Sequence, residues 1–263
     1  MNKEIKIIFS DIDWTLLNHG HNKHEFDLPS IEALIKAQKI GIKVFLCTAR
    51  PYDSIKCSGI LKLIKPDGIV CTNGAVVFIG DKLIHNHCFP KEFIRDIIRI
   101  SHKHHLTVEL SNEVERWFSK KKNGYVDKYF EVFNETIPPI RKYNNEDISA
   151  ILIMAPAKYD ETLLNEFPKG TSFVRFADYG IDLHTDPIYK SEGVNKVLEY
   201  YGYSKDNAMA IGDDLGDIPM FEAVKYSVCM ENGKQEAKNT AKEICPHIDN
   251  HGVVSVIKKY FNV

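Results

Sequence analysis

Short apolar runs alternate with helical patterns at both ends of the chain, and this alternation limits the possible folds more than any other feature. In the first third, buried strands are predicted at residues 5–10, 43–47 and 68–71, with helices at 30–39 and 54–63 between them. Strands that alternate with helices form right-handed β-α-β units, whose parallel sheet is covered on both faces. The start of the chain therefore predicts an α/β fold with a doubly wound, Rossmann-like parallel sheet.

The last third of the chain repeats this rhythm. Strands are predicted at 208–211 and 226–230, between helices at 191–201, 218–223 and 253–260. The two ends together therefore supply enough strands and helices for one doubly wound domain.

The middle of the chain lacks this regular alternation. Its predicted elements are helices at 91–104 and 160–167 and strands at 107–110, 150–154 and 172–176. The segment 113–147 is poorly periodic, and Pro138 and Pro139 break it. We therefore predict a core domain made from residues 1–80 and 183–263, with an α+β cap domain, residues 81–182, inserted between its two parts.

Composition and charge exclude several classes of protein. The 263 residues are 44% hydrophobic and 27% charged, which is typical of a globular protein. Lys and Arg number 34 against 36 Asp and Glu, so the net charge of −2 gives no global field that would attract nucleic acid or an anionic membrane. The apolar runs are too short to span a bilayer, and the six cysteines are scattered. These features predict a cytoplasmic monomer or small homo-oligomer with no nucleic-acid or membrane partner.

Two carboxylates directly follow the first predicted strand. Asp11 and Asp13 lie just past its carboxyl end, which is the edge where open parallel sheets bind ligands. Crowded carboxylates are unfavourable unless a cation is bound beside them. One aspartate could attack a phosphoryl group, and the other could protonate the leaving group. A turn or a helix cap is the alternative for such a pair taken alone.

A second acidic group follows a strand of the last third. Asp213 and Asp217 come after the predicted strand 208–211, so they can converge with Asp11 and Asp13 at one edge of the sheet. Carboxylate oxygens are hard ligands that suit Mg²⁺. An N-cap cluster is the alternative, but two such groups on equivalent strand ends favour a metal and phosphate site.

Two other kinds of residue could bind phosphate near these carboxylates. Thr48 ends the second strand, where its hydroxyl and the following backbone N–H groups could hold a phosphate. Lys196 could neutralise phosphate charge, and Lys190, six residues earlier, is the competing candidate. A strand-end threonine or a solvated lysine is the ordinary interpretation of each residue alone, so their weight comes from the acidic groups that accompany them.

In their order along the chain, these groups resemble the four motifs of the haloacid dehalogenase superfamily. The segments that carry the resemblance are 11–15, Thr48, Lys196 and 212–217. The chain is most similar to the Cof-type phosphatases, which carry an α+β cap of class IIB inserted after the third core strand. Asn73, Gly74 and Ala75 resemble that family's N-G-A segment, and the resemblance extends over nearly the whole chain.

The resemblance implies a role for each motif residue. Asp11 would be the nucleophile and Asp13 the general acid and base. The residues implied in phosphate binding are Thr48, Lys196 and Asn73. The residues implied in Mg²⁺ binding are Asp11, Asp13 through its backbone carbonyl, and Asp213, with Asp217 supporting the site.

Two positions depart from the family's usual pattern. Ala49 stands where the family usually has Gly, and Gly216 stands where it usually has Asn. The implied function is a Mg²⁺-dependent phosphatase that hydrolyses a small phosphorylated metabolite, such as a sugar phosphate, through an aspartyl-phosphate. A sugar phosphomutase and a phosphate-binding regulatory protein without turnover are the alternatives.

Other polar and aromatic side chains receive more ordinary interpretations. His19, His21 and His24 lie in a polar loop after the first motif and are predicted to be solvated or capping histidines. Trp14 is interpreted as a packing residue at the rim of the site. Candidate substrate contacts in the insert are Glu109, Arg116, Trp117 and Lys120.

Overall fold

The chain divides into two compact units. The computed structural model describes residues 4–20, 24–133, 136–185 and 189–263. One unit is made from residues 1–50, 59–85 and 189–263, and the other from residues 51–58 and 86–188. The main part of the second unit, residues 86–188, begins and ends a few residues later than the insert predicted at 81–182. The second unit also includes the segment 51–58, which the sequence analysis places in the core domain.

The described residues contain fifteen strands, most of them short. In chain order they are β1 (Ile7–Ser10), β2 (Leu17–Asn18), β3 (Glu25–Phe26), β4 (Lys43–Cys47), β5 (Gly68–Cys71), β6 (Val76–Ile79), β7 (Lys82–Asn86), β8 (Thr107–Ser111), β9 (Arg116–Phe118), β10 (Ala150–Met154), β11 (Ser172–Ala177), β12 (Gly180–His184), β13 (Ala208–Gly212), β14 (Tyr226–Met230) and β15 (Glu243–Cys245).

Nine α-helices are present in the described part of the chain. They are α1 (Leu28–Lys39), α2 (Tyr52–Ser58), α3 (Lys91–Lys103), α4 (Gly124–Phe133), α5 (Asp160–Glu166), α6 (Lys190–Tyr201), α7 (Ile218–Glu222), α8 (Gln235–Thr240) and α9 (Gly252–Phe261). None of these helices, within the residues described, combines the length and the apolar character that crossing a bilayer requires.

The first unit is built on an eight-stranded sheet. Its order is β15-β14-β13-β1-β4-β5-β6-β7, and the six strands from β15 to β5 run parallel. The central strand β1 lies between β13 and β4, with Phe9 opposite Ala210 on one side and Phe45 on the other. The two ends of the chain therefore meet at the middle of one sheet, and the predicted α/β class is confirmed.

Both faces of this sheet are buried. Ile7 and Phe9 of β1 belong to an apolar core with Val194 of α6 and Phe221 of α7. Ile8 points to the opposite face, because strand side chains alternate, and it too is fully buried. A strand that is covered on both faces is typical of a doubly wound parallel sheet.

Two turns of the first unit were not predicted from the sequence. The predicted strand at 68–71 continues through a tight turn into the antiparallel strand β6, and Gly74 in that turn has a φ of +101°. The helix predicted at 54–63 ends at Ser58, because Gly59 takes a left-handed φ of +86°. In both places a glycine allows a backbone conformation that other residues adopt only with strain.

The second unit contains a five-stranded antiparallel sheet with the order β11-β12-β10-β8-β9. One face carries an apolar core that includes Ile97 of α3, Trp117 and Ile153. On the other face, Phe130 of α4 packs with Phe118 and neighbouring apolar side chains. The elements β9 and α4 lie within the segment 113–147, whose weak periodicity concealed them from the sequence analysis.

Candidate active site

The register of the central strands brings the two acidic groups of the sequence together. The backbone N–H of Asp11, directly after β1, donates to the carbonyl of Ile211 in β13 at 2.9 Å. Asp213 directly follows β13, so it leaves the sheet beside Asp11. Both side chains lie at the carboxyl edge of the sheet, and both residues are at least 90% buried.

A third carboxylate, that of Asp217, completes a buried cluster. One oxygen of each of Asp11, Asp213 and Asp217 lies within 4.8 Å of the other two. The backbone N–H groups of Asp213 and Asp214 donate to Oδ2 of Asp217 at 2.8 and 3.0 Å, so the backbone fixes this carboxylate. A Cβ at Gly212 would lie 2.5 Å from the Asp217 carboxylate, so only glycine fits at that position. Among the described residues, this is the one group of three side chains suited to share a metal ion.

A buried lysine bridges two carboxylates of the cluster. The ammonium of Lys190 lies 2.6 Å from Oδ1 of Asp11 and 2.6 Å from Oδ1 of Asp217, and its side chain is 4% exposed. The backbone of Tyr189 comes so close to Gly74 that a Cβ there would lie 2.3 Å from the Tyr189 carbonyl oxygen. The glycine after the third core strand therefore allows the start of α6 to approach the site.

The prediction that Lys196 binds at this site is corrected in favour of Lys190. The Lys196 side chain is 44% exposed, and its ammonium lies 3.9 Å from Glu199 on the same helix. Six residues at about 100° each place Lys196 about 240° around α6 from Lys190. The two lysines therefore point to different sides of the helix, and the sequence alone did not show which of them faces the sheet edge.

The cluster holds three carboxyl groups and a single ammonium. Burial, together with the neighbouring carboxylates, raises the pKa of Asp11 to about 8 although Lys190 opposes the change. Burial and the charges of Asp11 and Asp217 raise the pKa of Asp213 to about 9. Burial alone would lower the pKa of Lys190, but the carboxylates of Asp11 and Asp217 hold it well above its usual value. When all three carboxyl groups are ionised, one ammonium does not balance their charge, so a bound cation would favour the ionised forms of Asp11 and Asp213.

The donor set fits a divalent metal. Its atoms are hard carboxylate oxygens, which Mg²⁺ and related ions prefer over nitrogen or sulfur. Asp11 and Asp213 were predicted ligands. Asp217, predicted as a supporting residue, has oxygens within the same cluster while also accepting from Lys190 and two backbone N–H groups.

Asp13 lies in a different environment from Asp11. Its carboxylate accepts from Nε of Arg50 at 2.8 Å and from Nη2 at 2.7 Å, and Nε2 of His19 lies 2.6 Å from its Oδ1. Burial alone would raise the pKa of Asp13, but Arg50 and His19 together hold it well below its usual value. The side chain is 33% exposed, so this carboxylate faces outward from the buried cluster.

Neither contact to Asp13 was predicted. His19 was interpreted as a solvated or capping histidine, yet its side chain is only 14% exposed and it contacts both Asp13 and His24. His21 lies outside the described residues. The hairpin of β2 and β3 folds His19 back onto the acidic motif, and nothing in the spacing of the loop signals that return.

Thr48 and Asn73 lie at the ends of neighbouring strands. The Thr48 hydroxyl accepts from the backbone N–H of Arg50 at 3.1 Å, and the Thr48 carbonyl accepts from the backbone N–H of Asn73 at 3.1 Å. Since Ser10 pairs with Leu46, Thr48 comes just past the end of β4, next to the end of β1. These contacts hold the two loops together at the edge that carries Asp11.

Three of the four substrate contacts proposed in the insert lie in the interior of the second unit. Trp117 belongs to its apolar core, and Glu109 and Arg116 are also buried. Nε of Arg116 donates to Asp53 at 3.1 Å, and its guanidinium lies over the Phe130 ring. These residues have structural contacts that their polar or aromatic character alone did not reveal.

Comparison with known proteins identifies the family. The sequence model of one family, described as haloacid dehalogenase-like hydrolase, matches residues 8–257. The chain belongs to the haloacid dehalogenase-like hydrolases. Within them it is a Cof-type phosphatase of subclass IIB, so the predicted family and the predicted enzyme class, a phosphoric monoester hydrolase, are both confirmed.

Curated relatives of this hydrolase are similar over nearly their whole length. Phosphoglycolate phosphatase 1 of Saccharolobus solfataricus is 25% identical over 256 residues, covering 97% of this chain and 95% of the relative. The 5-amino-6-(5-phospho-D-ribitylamino)uracil phosphatase YitU of Bacillus subtilis is 26% identical over 271 residues, covering 98% of each protein. Both names describe phosphatases of small phosphorylated metabolites, and this hydrolase shares that general activity.

Solved structures show the same fold. A hypothetical protein from Geobacillus kaustophilus superimposes with a TM-score of 0.89 at 26% identity, covering 98% of this chain and 100% of the other. The subclass IIB sugar phosphatase BT4131 gives a TM-score of 0.81 at 23% identity, covering 98% and 100%.

Proposed function

We propose that this hydrolase is a Mg²⁺-dependent phosphatase of a small phosphorylated metabolite, working through an aspartyl-phosphate at Asp11. The observation that carries the proposal is the separation of the two aspartates of the first motif. Asp11 is buried against Lys190, whereas Asp13 is held apart by Arg50 and His19. Two nearby carboxylates in contrasting environments are typical of a pair with different catalytic tasks.

Asp11 is placed to act as the nucleophile. Its Oδ1 is held by the Lys190 ammonium, which fixes the orientation of the carboxylate and leaves the second oxygen for attack on phosphorus. Attack forms an oxygen–phosphorus bond and breaks the bond to the leaving oxygen. Water then cleaves the aspartyl-phosphate, so the carboxylate of Asp11 is regenerated.

Asp13 is proposed to protonate the leaving oxygen and then to deprotonate the attacking water. A carboxylate that is held ionised by a guanidinium cannot donate a proton. The acid role therefore requires that Arg50 release Asp13 when substrate binds, and the phosphate dianion is a suitable new partner because arginine binds phosphate through its planar fork. Arg50 thus joins Thr48, Asn73 and Lys190 as a proposed phosphate-binding group.

Mg²⁺ would be held by Asp11, Asp213 and the backbone carbonyl of Asp13, with Asp217 in or next to the ligand set. When bound, the ion supplies positive charge that offsets the repulsion between carboxylates and phosphate and stabilises the charge of the transition state. Lys190 and the backbone N–H groups that donate to Asp217 fix the carboxylates, and the burial of the cluster excludes water from them.

A phosphatase of small metabolites fits better than the alternatives. The curated relatives quoted above are named as phosphatases, of phosphoglycolate and of a ribitylamino-uracil phosphate. A regulatory protein that only binds phosphate has no need of a second aspartate with its own supporting residues. Sugar phosphates remain within the proposed substrate range, and a cytoplasmic location is part of the proposal because all six cysteines are free thiols.

A substrate screen tests this proposal. Purified protein with Mg²⁺ is assayed for release of inorganic phosphate from a panel of phosphorylated metabolites, with Asp11→Asn as the matched control. We expect release from at least one metabolite by the wild type and none by the variant. Transfer of phosphate within a sugar, without release, would instead show a phosphomutase, and equal release by Asp11→Asn would contradict the assigned nucleophile.

A further inference from the structure

Trp14 has a strained backbone conformation. Its φ is +57°, in the left-handed region that favours glycine and that a bulky residue rarely adopts. The conformation is imposed by a tight turn, in which the N–H of Trp14 donates to the carbonyl of Leu17 at 2.7 Å. A glycine would suit this turn better, so the local fold does not explain a tryptophan there.

Packing accounts for only part of the tryptophan side chain. The residue is 39% exposed, in contrast to its neighbours Ile12, Thr15 and Leu16, which are fully buried. The carbonyl of Trp14 is fixed by the Nδ2 group of Asn232 at 2.8 Å, but any residue could provide that carbonyl. Backbone strain of this kind clusters at functional sites.

The exposed indole lies one imidazole ring away from the proposed general acid. Its ring centroid is 5.6 Å from that of His19, with the planes tilted by 55°. Nε2 of His19 in turn lies 2.6 Å from Oδ1 of Asp13. The backbone of Gly20 flanks the indole, since a Cβ there would lie 3.6 Å from Cζ3 of Trp14.

Two amide side chains of the described residues near Trp14, those of Asn18 and Asn232, make hydrogen bonds within the protein. The Asn18 amide accepts from the N–H of Gly20 at 2.8 Å and donates to Asp249 at 2.6 Å. The Asn232 amide donates to the carbonyl of Trp14 and accepts from the N–H of Ile248 at 2.9 Å. These two amides are therefore held by the protein itself, and the described ring that lies beside the indole is that of His19.

We propose that Trp14 is a specificity-determining residue whose indole stacks on the leaving group of the substrate, and that the preferred leaving group carries a flat, unsaturated ring close to the ester oxygen. The proposal rests on the proposed function, because the group next to Asp13 is the leaving group only if Asp13 protonates the leaving oxygen. A flat ring can stack on an indole whatever its own hydrogen-bonding pattern.

Matched phosphate esters test whether the Trp14 indole is a stacking platform for the leaving group. Benzyl phosphate and propyl phosphate have leaving alcohols of similar basicity, cyclohexylmethyl phosphate has a saturated ring of similar size, and glucose 6-phosphate represents a polyol. In Trp14→Gly, which suits the backbone, the ratio of kcat/KM for benzyl over propyl phosphate should fall about tenfold to a hundredfold, the range of one aromatic stacking contact. Trp14→Phe should keep most of that ratio.

Three results would overturn the platform. One is an unchanged ratio in Trp14→Gly. Another is an equal loss for glucose 6-phosphate or for cyclohexylmethyl phosphate, because then the indole does not select flat rings. The third is a marked fall in the Tm of Trp14→Gly and of Trp14→Asn, because then the indole serves packing.

A binding experiment separates this proposal from the proposed function. If the wild type hydrolyses none of the esters, the result counts against the proposed function on these substrates, but benzylphosphonate and propylphosphonate still report on the indole by calorimetry. We expect the wild type to bind benzylphosphonate more tightly, and Trp14→Gly to lose that preference. Equal binding of the two phosphonates by the wild type would overturn the platform whether or not hydrolysis is found.

Discussion

Replacing Lys190 by methionine should damage both the fold and the activity, whereas the same change at Lys196 should have little effect. Lys190→Met keeps the length of the side chain and removes the ammonium that lies 2.6 Å from both Asp11 and Asp217. The side chains of these three residues are 4%, 7% and 1% exposed, so the carboxylates have little access to water that could replace the ammonium.

The magnitude follows from this burial. Removing one partner of a buried ion pair typically costs about 3–5 kcal/mol in the free energy of unfolding, because the other charge stays buried without compensation. Loss of a charge that stabilises the transferring phosphoryl group should lower kcat by about 10²–10³. Lys196→Met removes a half-exposed ammonium, so the free energy of unfolding should change by no more than about 0.5 kcal/mol.

Urea denaturation and steady-state kinetics on a generic aryl phosphate check both variants. Denaturation is measured with and without Mg²⁺, because a bound cation should offset part of the lost charge. The reasoning would be refuted if Lys196→Met lost activity while Lys190→Met kept wild-type stability and rate.

Three further predictions follow from the same geometry. Asp13→Asn should slow alkyl phosphate hydrolysis by about 10²–10⁴ and p-nitrophenyl phosphate hydrolysis much less, and an equal loss on both esters in a kinetic comparison would contradict the acid role. Burial raises the pKa of Asp11 to about 8 and of Asp213 to about 9, so the metal-free fold keeps protons that the unfolded chain releases above about pH 4. The stability of the metal-free protein should therefore fall as the pH rises from about 4 to about 9. Mg²⁺ needs ionised ligands, so its effect on Tm should be larger at pH 8.5 than at pH 5.5, and the reverse order would refute this reasoning. Gly216→Asn should fold normally, because no atom lies within 4 Å of a Cβ there, whereas Gly212→Ala, whose Cβ would lie 2.5 Å from the neighbouring carboxylate, should lower both Tm and activity; similar Tm values for the two variants would count against this packing.

The parts of the site that the sequence predicts are those fixed by strand ends. Asp11 and Asp213 each follow a buried strand, and parallel strands bring their carboxyl ends to one edge, so periodicity alone is enough to place the two residues together. Thr48 is predicted for the same reason.

The parts that the sequence does not predict depend on how loops and helices turn. The choice between Lys190 and Lys196 depends on which side of α6 faces the sheet, and that side is set by the close approach of Tyr189 to Gly74. The contacts of Arg50 and His19 with Asp13 come from loops that fold back on the motif. Hydrophobic periodicity carries no information about such returns.

Trapping of the phosphorylated enzyme tests the central claim most directly. Purified protein is mixed with a ³²P-labelled phosphate ester and Mg²⁺, quenched in acid within a turnover, and mapped by peptide mass spectrometry after borohydride reduction of the acyl phosphate. The account predicts acid-stable label on the peptide that contains Asp11, reduction at that residue, and no label in Asp11→Asn. Turnover in the wild type with no covalent label, or with label on another residue, would contradict it.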